Sequence, residues 1–141
     1  GPGPVVVGPL VDDLRHAADS ARAALSGARS ANAWPEGPRV LSARDLLPER
    51  TVAGNVRARR ELVEMVFAPL VAAGGDLLAT CVSLLAHGGS VEATGRALFV
   101  HPNTVRYRIR RIHDVTGYSP AVPREAYILQ LAITLGRLQP S

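Results

Sequence analysis

A mainly α chain is expected, with a helical second half preceded by a small α+β segment, for three reasons. Aromatics make up 4% of the 141 residues while apolar residues in all reach 47%. The core must therefore be built from aliphatic side chains, and the abundance of Ala, Leu and Arg suits helices. Apolar residues recur at helical spacing along most of the chain. Beyond Gly74-Gly75 the punctuation becomes regular, with Gly, Ser and Pro where helices start or stop.

Taken in order, Val5 to Val7 read as a short buried strand, and Pro9 leads into a helix over residues 10–29. Leu10, Leu14, Ala17, Ala21, Ala24, Leu25 and Ala28 recur there at helical spacing. Breakers across residues 32–38 end that helix; residues 39–42 suit a second strand and residues 43–47 a short helix. The chain is helical again from Val56 to Ala72. Leu62, Val63, Val66 and Leu70 face inward there, Arg57 with Glu61 and Arg60 with Glu64 stand as i,i+4 ion pairs, and Pro69 kinks or shortens the helix. Gly74-Gly75 is the expected domain boundary: residues 1–75 form the C-terminal part of an upstream α+β domain with a connecting helix, and residues 76–141 a separate helical domain. With no initiator Met and an opening triplet that would make an orphan strand, the sequence reads as the C-terminal part of a longer protein.

In the second half Asp76 is the expected N-cap of a helix reaching His87, closed by Gly88-Gly89. Ser90 caps a second helix over 91–98, and after a turn at 99–101 Pro102 takes the favoured first position of a third, ended by Gly117 after Thr116. A fourth helix, residues 123–138, carries Tyr127, Ile128, Leu131, Leu135 and Leu138 on one stripe. The third helix reads PNTVRYRIRRIHDVT, with Val105, Ile109 and Ile112 as its buried stripe and Asn103, Tyr107 and Arg110 opposite. Such a face suits DNA: Asn bonds adenine, Arg bonds guanine, and Thr or Tyr reaches phosphate or the thymine methyl. Gly95 to Val105 spans ten residues, the interval between the small residue of the first helix and the buried aliphatic of the second in a helix-turn-helix. Asn103, Thr104, Arg106, Tyr107 and Arg110 are therefore the candidate base readers. Ser90, Arg96, His101, Arg108 and Arg111 are the phosphate candidates. For Arg108, near the edge of the buried stripe, a structural pair is the other reading; for His101, filling the turn is as good a reading as touching phosphate.

The run LFVHPNTVRYRIRRIHDVTGYSP, with LLATCVSLLAHGGSVEAT before it and YILQLAITLGRL after it, resembles the C-terminal helix-turn-helix of the PucR-type (CdaR-like) bacterial transcription regulators. The resemblance covers residues 76–138. It implies sequence-specific binding of double-stranded DNA as a homodimer or larger assembly, without a cofactor, and an effector, if there is one, bound upstream of this chain. Gly95 stands where the family usually has Ala. VVVG and ARDLLPER more loosely resemble the end of the domain that precedes this module, often a degenerate GGDEF-like domain, and within the family the chain looks most similar to actinobacterial members tied to fatty-acid synthesis genes.

Other chemistry lacks its groups. Gly74-Gly75-Asp76 invites a diguanylate-cyclase reading, but Leu77 and Leu78 replace the acid and the aromatic such a loop needs. The four His are scattered without a metal-ligand partner, and neither GxSxG nor a P-loop occurs; there is no Lys to complete one. No metal, cofactor or catalytic group is expected. Cys81, the single cysteine, sits in an apolar run as a core residue, and without a partner for a disulfide it suits the cytoplasm. No stretch matches a membrane span or a signal peptide. The formal charge of +4 suits a polyanionic partner; that all 16 basic residues are Arg is read first as coding bias. The competing function is a helical protein-interaction or dimerisation module, disfavoured because the exposed face has only Tyr107 as an apolar centre.

Overall fold

The computed structural model describes residues 3–139 and is mainly α, with one two-stranded sheet near its start. Its contacts divide the chain into two compact units, residues 1–59 and 60–141.

In the first unit β1 (Val5–Val7) pairs in parallel with β2 (Val40–Ser42), Val6 opposite Leu41. Parallel strands need a long crossover, and α1 (Leu14–Ser30) provides it. Val6 and Trp34 pack against a core of Ala31, Leu41 and Leu46. The expectation of a buried first strand holds only for alternate residues. With side chains alternating across the sheet, Val6 turns inward while Val5 and Val7 stay exposed.

The first helix departs further from expectation. It starts at Leu14, not Leu10, because Asp13 caps it by accepting from the His16 N–H at 3.1 Å, while the Ser20 hydroxyl holds the Pro9 carbonyl of the extended approach at 2.7 Å. The aliphatic stripe does not face the core: Leu10 and Leu14 are 99% and 92% exposed. Gly27 and Ser30 are the buried residues instead. A Cβ on Gly27 would come within 2.6 Å of Val6 Cγ1, so close packing selects the face with the smallest side chains over the one with the most carbon.

Ser42 and Asp45 form a reciprocal capping box that opens a 3-10 turn, Ala43–Leu46, and this runs on into α2 (Leu47–Val52), so the expected short helix extends further. Neither expected ion pair on the next helix forms. Arg57 reaches Asp19 at 2.6 Å instead, and that hydrogen bond holds the Asp19 carboxyl below its usual range.

The helix α3 (Val56–Leu62) carries the chain into the second unit, where Val63–Phe67 form a π-turn before α4 (Ala68–Ala72). Proline explains it. Pro69 has no N–H, and its ring would crowd the carbonyl four residues back. The wider turn, with the Ala68 N–H bonded to the Val63 carbonyl, absorbs the conflict without ending the helix. Leu62, Val63, Val66 and Leu70 are buried as the spacing required.

The helix α5 (Gly75–Ala86) is capped by Gly74 rather than Asp76. Gly74 takes φ +113, a conformation open to glycine, and this moves Asp76 into the first turn. The next three helices, α6 (Val91–Leu98), α7 (Pro102–Thr116) and α8 (Pro123–Leu138), have the expected bounds. Their core contains Leu84, Val105, Ile112, Leu129 and Ile133. The stripe expected on α8 is rotated: Tyr127 and Leu138 are exposed, whereas Leu129, Ala132 and Ile133 are buried beside Ile128 and Leu135. Gly136 causes the rotation by admitting the Phe67 ring against the helix backbone.

Cys81 lies at 0% exposure, and burial pushes its thiol up to about 12 from 9.0. Reaction requires the thiolate. A thiol reagent at neutral pH should therefore label Cys81 only as fast as the second unit opens, and addition of urea should accelerate labelling; fast labelling of the native chain would contradict this burial. No single helix among the described residues is long and apolar enough to cross a membrane.

Candidate nucleic-acid interface

The surface at issue is made by α6, α7 and the turn between them. The Ser90 Oγ accepts from the Ala93 N–H at 3.1 Å and starts α6, which buries Thr94 and Gly95. Its end is unusual. Phe99 takes the left-handed conformation, φ +57 and ψ +43, and stands 95% exposed. The Val100 N–H then returns to the Gly95 carbonyl at 2.9 Å, folding the chain tightly over Gly95.

The helix α7 begins with Pro102 in its first turn. The imidazole of His101 caps it, Nδ1 accepting from the Asn103 N–H at 3.0 Å. Val105, Ile112 and Thr116 are buried and Ile109 is half-buried, which fixes the rotation of the helix about its axis. The Thr116 hydroxyl accepts from the Tyr118 N–H at 3.1 Å, and Gly117 ends the helix at φ +82.

That rotation brings Asn103, Arg106, Tyr107 and Arg110 together as an exposed strip within an arc of about 100°. Thr104 and Arg111 flank it, half-buried, and Arg96 and His101 are exposed nearby on α6 and the turn. Arg108 stands apart. Its side chain is only 19% exposed, donating to Thr80 Oγ1 at 3.2 Å and meeting Asp76 at 3.5 Å. These contacts tie α7 to α5, the structural alternative the sequence left open. Ser90 is half-buried, its Oγ engaged in the helix cap.

Two residues of this surface were not singled out from sequence. Glu92, in the first turn of α6, lies 3.6 Å from Arg106, whose guanidinium also donates to Asn103 Oδ1 at 2.8 Å. Phe99 lines a shallow groove with Glu92, Gly95, Arg96 and Pro102. Glu92 and Arg106 lie on different helices, beyond any i,i+4 rule. A left-handed Phe has no sequence signal, because propensity favours Gly or Asn there. Among the described residues, no group of three or more His, Cys, Asp or Glu side chains could hold a metal ion.

Residues 77–135 match the family model described as the PucR C-terminal helix-turn-helix domain. The chain carries a PucR-type helix-turn-helix domain. This is the domain of a DNA-binding transcription regulator family. A regulator of polyketide synthase expression from Bifidobacterium adolescentis, a solved structure, is 35% identical with a TM-score of 0.89, over 96% of this chain and 54% of its own. Uncharacterized proteins of Mycobacterium tuberculosis and Mycobacterium bovis are each 47% identical over 135 residues, 96% of this chain. The chain spans about a third of the length of these curated relatives, 33%. The high structural similarity extends beyond the PucR-type domain, since the match to the solved regulator takes in nearly the whole chain.

Proposed function

We propose that this chain binds double-stranded DNA in a sequence-specific manner, with α7 in the major groove and α6 lying across the phosphate backbone. The observation that carries the reading is the division of α7 into two faces. Val105 and Ile112 are sealed in the core, while Asn103, Arg106, Tyr107 and Arg110 lie exposed on the opposite side. Amide, guanidinium and phenol groups on one narrow strip match the donors and acceptors on base edges. Arg96, Arg111 and His101 border the strip where phosphates would pass; Nδ1 of His101 accepts within the cap, so its outward Nε2–H is the donor to phosphate. Arg108, already held by Thr80 and Asp76, has a positioning role and leaves the set of phosphate contacts.

A single helix-turn-helix reads one half-site, so two copies meeting half-sites about one helical turn apart would supply affinity and symmetry. The chain would act in the cytoplasm as the reading end of a longer regulator, following an α+β segment.

The test is selection from randomised duplex DNA, with affinities then measured over a salt series. An enriched motif and a log–log salt slope of about 0.9 per phosphate neutralised are expected. Arg110→Ala should relax the preference at one base pair, by roughly 1–3 kcal/mol. Arg111→Ala should weaken all sequences alike and lower the slope by about one. A folded chain that enriches no motif would refute specific reading and favour a protein partner for the same face.

A further inference from the structure

We infer that Glu92 is a specificity-determining positioning residue, which aligns the Arg106 guanidinium for base reading while its charge weakens binding to DNA of every sequence. This rests on the proposed DNA reading of α7.

An acid on a surface meant for a polyanion demands a reason. Glu92 stands in the first turn of α6 and Arg106 in the second turn of α7, so the 3.6 Å approach of their charged groups links the two helices. The same guanidinium donates to Asn103 Oδ1 at 2.8 Å through its other terminal nitrogen. Arg106 is thus hydrogen-bonded at one terminal nitrogen and drawn towards a carboxylate at the other, which biases the plane of its fork. A planar fork reads guanine only when its orientation is right, and a side chain with that plane already biased loses less freedom on binding. The link leaves Asn103 competent, since its Oδ1 has a second lone pair and both Nδ2 hydrogens remain.

Glu92 also repels phosphate. Its charge lowers affinity for every sequence alike, so discrimination comes from the alignment of Arg106 and the repulsion only keeps binding to unselected DNA weak. As both side chains are about half exposed, 62% for Glu92 and 49% for Arg106, the pair adds little to folding. Its substitution should leave the chain folded.

The experiment compares the parent, Glu92→Ala, Glu92→Asp, Arg106→Ala and the Glu92→Ala/Arg106→Ala double variant. Each is titrated with the duplex selected by the parent, with that duplex changed at the base pair whose preference Arg106→Ala relaxes, and with a scrambled duplex. Glu92→Ala should bind scrambled DNA about threefold more tightly and lose roughly fivefold of the parent's discrimination at that base pair. The double variant should discriminate no worse than Arg106→Ala, as expected if Glu92 acts through Arg106. Glu92→Asp keeps the charge and its place in the first helical turn but falls short of Arg106. It should lose discrimination like Glu92→Ala while binding scrambled DNA like the parent. Unchanged discrimination in Glu92→Ala, or parental discrimination in Glu92→Asp, overturns the inference while specific DNA reading stands. A parent that prefers no sequence removes that reading and the inference together.

Discussion

Gly136→Val should unfold the second unit at markedly lower temperature or urea concentration than the parent, although valine has the higher helix propensity of the two. Gly136 lies in the last turns of α8, and a Cβ there would fall within the Phe67 ring, against Cγ, Cδ1 and Cε1. These are the near side and root of the ring, so no rotation of a flexible tip relieves the overlap. Phe67 belongs to the π-turn whose geometry Pro69 dictates, which also limits how far its backbone can give. Overfilling such a contact costs about 1–3 kcal/mol. Expelling the half-buried ring instead forfeits part of the roughly 1.5–3 kcal/mol that full burial would bring. Against either stands a helix gain of under about 1 kcal/mol. A net loss of about 2 kcal/mol would lower Tm by roughly 8–16 °C for a unit of this size. Phe67→Ala in the Gly136→Val background should recover part of that loss, because removing the ring makes room for the new side chain. Additive effects of the two substitutions would show that the overlap is not the cause.

The same contact shows what could be read from sequence and what could not. Helices α6, α7 and α8 have the bounds expected from Ser90, Pro102, Gly117 and Pro123, because caps and breakers act over three or four residues and leave local marks. The stripe of α8 was misjudged because the surface it packs on is set by Phe67, remote in sequence and presented by a π-turn. The aliphatic stripe of α1 failed for a related reason: hydrophobicity marks residues able to be buried, whereas Gly27 marks where a strand comes close. Asp76 had the chemistry of a cap, but Gly74 has the conformation, and the tertiary path chose conformation. On the candidate interface, the helical repeat was enough to separate the exposed strip from the buried stripe. It could not separate Arg108 from its neighbours Arg106 and Arg110, since only the packing of α5 brings Thr80 and Asp76 to Arg108.

On the proposed DNA reading of α7, Gly95→Val should cost at least about tenfold in affinity for the selected duplex, whereas Gly95→Ala should keep that binding at a modest cost in stability. A Cβ on Gly95 would stand 2.9 Å from the Val100 carbonyl oxygen and 3.6 Å from the Pro102 nitrogen. The obstacle is therefore the backbone of the turn itself. Alanine already requires that backbone carbonyl to shift, a cost that its gain of about 1 kcal/mol of helix propensity over glycine offsets in part. This is consistent with Ala being usual at the matching position in the family the stretch resembles. Valine adds two γ-carbons, stiff at χ1, and the turn can receive them only by opening. The Val100 N–H bond to the Gly95 carbonyl and the left-handed Phe99 are then lost together, and the start of α7 moves with Asn103 and Arg106. A displacement of about 1 Å is enough to spoil paired hydrogen bonds to a base edge, given their narrow distance range. Affinity for the selected duplex should fall at least tenfold, while weak binding to scrambled DNA persists because charge attraction tolerates the shift. Circular dichroism should show the helices largely retained, with a stability loss of about 1–3 kcal/mol. If Gly95→Val recognised the selected duplex as the parent does, the tight turn over Gly95 would not be what places the reading face of α7.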